Sequence, residues 1–125
     1  MDWKLELVFV PVSDVDRAKS FYVDQVGFNA DYDERVNETL RFVQLTPHGS
    51  ACSIAIGTGL IDSAPGSLRN LQIVVDDVAA ARKELIERGV DASEVDVQSW
   101  GSFVTFSDPD GNTWALQQLP ARSGS

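Results

Sequence analysis

The chain has 125 residues, 43% of them hydrophobic and 23% charged, with a formal net charge of -9. That is one domain's length, enough to bury roughly two-thirds of the unfolded surface, and the acidic surplus repels polyanions, so neither nucleic acid nor an anionic membrane is an expected partner. No apolar run reaches the ~20 residues of a membrane span and no basic-then-apolar leader precedes the first strand, so the expected location is cytoplasmic.

Trp3 to Val12 is continuously β-prone and largely apolar, the pattern of an interior strand covered on both faces. Ser13 offers a helix cap, with Asp14 and Asp16 in the first turn; Val15, Ala18, Phe21, Tyr22 and Val26 form one apolar stripe, and Gly27 supplies a left-handed stop. Strands are predicted near Asn29 to Glu34, Thr39 to Thr46 and Ala51 to Gly57, separated by the turns Arg35–Glu38 and Pro47–Ser50. Cys52 lies in an apolar strand without a neighbouring base and reads as a small core residue; a lone cysteine makes no internal disulfide.

Residues 58–68, rich in Gly, Ser and Pro, read as a linker, after which the pattern repeats. Leu71 to Val75 is a strand, Asp76-Asp77 caps a helix with Val78, Ala81, Leu85 and Ile86 on its stripe, and Gly89 ends it. Val90 to Val97 and Ser102 to Ser107 are strands, and Asp108-Pro109-Asp110-Gly111-Asn112 is a tight turn into a last strand, Thr113 to Gln118. Val12-Ser13-Asp14-Val15…Ala18…Gly27 is answered by Val75-Asp76-Asp77-Val78…Ala81…Gly89, so the chain reads as two βαβββ units, about 3–57 and 69–119, in one domain spanning 1–120. Residues 121–125 read as a disordered tail.

The doubled pattern, with the segments PVSDVDRAKSFYVDQVGF, VVDDVAAARKELIERGV and FSDPDGNTWALQQ, resembles the vicinal oxygen chelate superfamily of glyoxalases, extradiol dioxygenases and fosfomycin- and bleomycin-resistance proteins. The resemblance implies an α+β fold: two βαβββ modules in tandem forming an open eight-stranded cup that holds a small ligand, commonly in a homodimer. In metal-dependent members, the resemblance implies, three or four His, Glu or Gln side chains project into the cup. The positions that align with them here are Leu7, Asn70 or Gln72, and Ala115. Leu7 and Ala115 have no lone pair to offer and an amide alone is a weak ligand, so no metal and no cofactor is expected.

Strand alternation in that register points Leu5, Leu7, Phe9, Asn70, Gln72, Val74, Thr113, Ala115 and Gln117 into the cup, with Val8, Val10, Ile73, Trp114 and Leu116 beneath the helices. The lining is apolar with a few amides and a hydroxyl, suited to orienting a neutral organic molecule; the same amides would also serve a dimer interface. Arg41 and Gln44 come from a strand that should wall the cup, Arg41 as a bidentate anion ligand or as one half of a surface ion pair. Trp100, beside Gly101, has two uses, a flat lid at the mouth or core and interface packing. His48 and Glu6 are the candidates for proton transfer, set against a solvated turn for His48 and an edge or cation partner for Glu6. The expectation is a metal-independent protein that binds a small, largely apolar organic molecule, as in resistance by sequestration. The alternative is a glyoxalase-like lyase or isomerase with non-standard acid–base or metal residues.

Overall fold

A computed structural model of the protein describes residues 1–120; the predicted tail, 121–125, lies outside the described residues. The first half folds as β1 (Leu7–Phe9), α1 (Val15–Ser20) continuing into a π-helical segment (Phe21–Val26), β2 (Asn29–Asn37), β3 (Leu40–Thr46) and β4 (Ser53–Thr58). The second half repeats the order with β5 (Leu71–Val74), α2 (Val78–Glu87), β6 (Asp96–Gln98), β7 (Gly101–Ser107) and β8 (Thr113–Gln118). Each half makes one four-stranded sheet, ordered β1-β4-β3-β2 and β5-β8-β7-β6. In both sheets the first strand pairs in parallel with the last, and the other pairings are antiparallel.

The helices begin and end where side-chain chemistry dictates. Asp14 caps α1 by accepting from the Arg17 N–H at 3.1 Å, and Asp77 caps α2 by accepting from the Ala80 N–H at 3.0 Å. The cap of α1 is therefore Asp14 rather than Ser13, whose hydroxyl is committed elsewhere. Gly27 ends the π-helical segment at φ 97°, a left-handed conformation that a side chain resists. The Gly27 and Phe28 N–H groups both donate to the Tyr22 carbonyl, at 2.9 and 2.8 Å, and this widened turn stacks the Tyr22 and Phe28 rings 5.6 Å apart.

One hydrophobic core joins both halves. Val10, Val43, Leu45, Ile54 and Ile56 from the first sheet meet Val104, Phe106, Trp114 and Leu116 from the second, with α1, its π-helical extension and α2 packed among them. Each sheet has one helix-covered face in this core and one helix-free face. Among the described residues no helix is long and apolar enough to cross a membrane.

Several boundaries differ from the sequence expectation. The Trp3–Val12 run is not an interior strand: β4 begins only at Ser53, opposite Leu7, so the preceding residues have no strand to pair with, and Trp3 and Leu5 are 88% and 70% exposed. β1 and β5 are edge strands. β2 runs on to Asn37, whose Oδ1 accepts from the Thr39 N–H at 2.8 Å and sets the turn there instead of at Arg35. The Val90–Val97 strand shrinks to Asp96–Gln98 because the Thr105 N–H donates to the Ser93 hydroxyl, 2.9 Å away, in place of a ladder carbonyl.

Candidate functional site

On the second sheet, pairing lays the expected ligand residues in rows on the helix-free face. Gln72 faces Ala115, which faces Thr105; Val74 faces Gln117, which faces Phe103. Trp114 and Leu116, the alternate residues of β8, point into the core. Asn70 precedes β5 at φ 58°, and its N–H donates to the Thr113 hydroxyl at 2.8 Å. Asn70, Thr105 and Thr113 border a polar concavity of about 510 Å³ with Asp91 and Ser93. Gln117 donates to the Trp100 carbonyl at 3.4 Å; Trp100 itself is exposed in the turn before β7. The polar groups thus gather toward Asn70 and the apolar ones toward Val74 and Phe103.

On the first sheet, Leu7 faces Ser53, and Phe9 and Gln44 flank Ala55. Gln44 Nε2 donates to the Ser53 hydroxyl at 3.3 Å, and the Thr46 and Ser53 hydroxyls are 2.6 Å apart. Leu7, Phe9 and Gln44 therefore form one set and Asn70, Gln72, Thr113, Ala115 and Gln117 another, on sheets that share no strand pairing.

Arg41 does not wall this face. Alternation puts it with Val43 and Leu45 on the helix-covered side, where its guanidinium donates to Asp33 at 2.8 and 3.0 Å and to Asp16 at 2.8 Å. Hydrogen bonds from Arg41, then from Lys19, hold the Asp33 carboxyl well below the usual carboxylate range, and the same pairing raises Arg41. Glu6 is exposed. His48 is exposed in the Pro47–Ser50 turn, which sits against the edge strand β5 and shares with Gln72 and Val74 a concavity of about 280 Å³.

The aligned metal positions hold Leu7, Gln72 and Ala115, a hydrocarbon, an amide and a methyl group. That donor set does not fit a divalent cation. Among the described residues no three His, Cys, Asp or Glu side chains converge on a point.

The most heavily bonded polar residues were not among the expected site residues. Asp108 and Asn112, 5% and 0% exposed, fasten the β7–β8 turn to the first module. Asn112 donates to the Pro11 carbonyl and to Asp108, both at 2.8 Å, and accepts from the Leu68 N–H at 3.0 Å. Tyr22 donates to Asp108 at 2.7 Å and accepts from the Trp114 indole at 3.0 Å, so burial first, and then the Asp108 charge, raises the Tyr22 phenol far above its ordinary value. Asp110 accepts from the Ser13 hydroxyl at 2.5 Å and from its N–H at 3.1 Å. Gly66 in the linker packs so closely that a Cβ would stand 2.0 Å from the Asp110 carbonyl. The sequence held one signal of this: the turn carries more carboxylate and amide groups than a turn needs.

The other module-to-module junction is built differently. The turn Pro47–Ser50 joins β3 to β4 as Asp108–Asn112 joins β7 to β8, yet it leaves a concavity of about 200 Å³ between itself, α2 and the end of the π-helical segment. One junction is a closed polar clasp and the other is open.

A family model described as Glyoxalase/Bleomycin resistance protein/Dioxygenase superfamily matches residues 4–116. The structure is similar to that of TnmS3, described as an antibiotic binding protein from Streptomyces sp. CB03234, at 39% identity and TM-score 0.87 over 95% of this chain and 98% of that one. A glyoxalase/bleomycin resistance protein from the same organism is 40% identical with TM-score 0.82, over 92% of this chain and 100% of that one. The uncharacterized protein YetH of Bacillus subtilis (strain 168) is 25% identical over 113 residues, 89% of this chain and 94% of its own length. With most of its length matched and its paired βαβββ modules in place, this chain belongs to the Glyoxalase/Bleomycin resistance protein/Dioxygenase superfamily.

Proposed function

We propose that the protein binds a small, largely apolar organic molecule on the helix-free faces of its sheets, without a metal, and acts by sequestration. The observation that carries this reading is the chemistry of the second sheet's face: Gln72, Gln117 and Thr113 offer hydrogen bonds beside Val74, Phe103 and Ala115. Such a surface orients a neutral molecule through a few polar contacts and gains affinity from apolar burial. The likeness to an antibiotic-binding protein supports the same reading. A second copy of the chain would bring Leu7, Phe9 and Gln44 of one protomer opposite the Gln72 and Gln117 face of the other, covering apolar side chains that are exposed in the monomer, such as Phe9, Val74 and Trp100.

Thermal-shift and calorimetric titration with bleomycin and a panel of aromatic antibiotics tests the proposal, since a ligand of the native state raises apparent stability. Binding should survive exhaustive chelation and fall on Gln72→Ala or Gln117→Ala. Sedimentation should give twice the chain mass. Leu7→Glu should place a charge on the ligand face and abolish binding; unchanged binding in that variant would refute the assignment of the face.

A second reading, a glyoxalase-like lyase or isomerase, draws on His48, an imidazole that shares a concavity with Gln72 and could carry a proton. Turnover of a hemithioacetal that disappears in His48→Ala would favour it over sequestration.

A further inference from the structure

We propose that the open junction is a second binding site, on the opposite side of the second sheet from the helix-free face, for a neutral single-ring aromatic molecule carrying one hydrogen-bonding substituent. The concavity is about 200 Å³. An apolar protein cavity of about 150 Å³ accommodates benzene, so this volume suits one substituted ring and no more.

Its floor is core surface: Phe28, Leu85, Phe106 and Leu116 are all at most 6% exposed, with Ile73 and Ala81 half-buried beside them. Three polar side chains, His48, Glu84 and Arg88, stand on the lining. Among the described residues none of the three makes an ion pair or side-chain hydrogen bond, although six ion pairs form elsewhere. Glu84 and Arg88 are one helical turn apart on the same face of α2, so a hydroxyl between them can donate to the carboxylate and accept from the guanidinium. That pairing of an acceptor with a donor suits a neutral phenol, which can use both, and the net charge of -9 further disfavours a carboxylate.

The contrast with the clasp sharpens the inference. At the closed junction the turn residues Asp108, Asp110 and Asn112 all reach across to the other module. At the open one the corresponding stretch is Thr46, His48 and Ser50, and Thr46 bonds back to Ser53 and Asp31 within its own module. The bond that crosses there, Gln25 Nε2 donating to the Arg88 carbonyl at 3.0 Å, leaves the concavity open beside it, and the lining of that space is mainly apolar.

The test is a ¹H–¹⁵N titration of the full chain with 4-methylphenol. Saturable shifts are expected at Ala81, Leu85 and Phe28, with Thr105 and Ala115 on the other face unmoved. Ala81→Leu fills the cavity and should weaken binding about tenfold or more. Should Ala81→Leu fail to fold, the exposed double variant Glu84→Gln/Arg88→Gln serves: preference for 4-methylphenol over toluene should fall from at least about fivefold toward unity, about 1 kcal/mol. Shifts confined to Thr105 and Ala115, no saturation, or an affinity indifferent to Ala81→Leu would overturn the site. Antibiotic binding is read on the opposite face and the two sites meet at the β5 edge, where Val74 lines both, so shifts at Ala81 and Leu85 against shifts at Thr105 and Ala115 tell failure of one proposal from failure of the other.

Discussion

The two junctions between the modules use the same scaffold position, a turn linking the third and fourth strands, and solve it in opposite ways. In the second module, Asp108, Asp110 and Asn112 tie Pro11 just after β1, the approach to α1 and the linker into one hydrogen-bonded unit whose central groups are dry. In the first, His48 is exposed and an apolar concavity remains. Tandem repetition gives approximate symmetry, but the polar interactions that hold the modules together are concentrated at one end. The difference teaches that the turn motif most diagnostic of the fold is itself the intermodule fastener, while its counterpart is free to vary.

Substitutions should separate the two ends. Asn112→Ala removes two buried hydrogen bonds and a part-buried one, leaving the Leu68 N–H unpaired and the Pro11 carbonyl with the Gly66 N–H alone, an expected loss of about 3 kcal/mol in urea denaturation. Tyr22→Phe leaves the Trp114 indole N–H without its acceptor and takes one donor from the buried Asp108 carboxylate, which keeps Asn112 and the Asp110 N–H, and about 2 kcal/mol should be lost with the fold intact by near-UV dichroism. Ser13→Ala, at the exposed rim of the clasp, should cost about 1 kcal/mol.

Asp33, at neither junction, is the control. Its pairing with Arg41 and Lys19 should contribute about 0.5 kcal/mol, because the pair is partly exposed. Its folded-state pKa is depressed, so this contribution is complete above the unfolded value near 3.9 and is lost as pH falls below it. The stability gap between the parent and Asp33→Asn should therefore close on acidification. His48→Ala should be the quietest, within ~0.5 kcal/mol, since an exposed side chain with no partner has little to lose. A loss there approaching that of Asn112→Ala would erase the contrast between the ends.

The repeat, the helix stripes apart from Ile86, which is exposed, Gly27 as the stop and the Asp108–Asn112 turn were legible in the sequence because each is a local pattern of periodicity or turn chemistry. Arg41 against Gln44 was legible in principle: three residues apart in one strand, they cannot share a face, and only Gln44 lies on the helix-free side. What could not be read was partnership over distance. Tyr22 looks like one more residue of an apolar stripe, and its hydroxyl finds Asp108 only once two modules have folded together. The expected Val90–Val97 strand is shortened to β6 for a related reason: a serine side chain can replace a ladder carbonyl, and residue type alone does not reveal when it does.

The clasp also sets an order of events on the ribosome. Asp108 is made 86 residues after Tyr22, and Trp114 92 residues after it. Until then the nascent N-terminal module carries a phenol in its apolar face with no acceptor and an unpaired β1 end. It is expected to remain loosely held and chaperone-accessible, locking only when the C-terminal turn arrives.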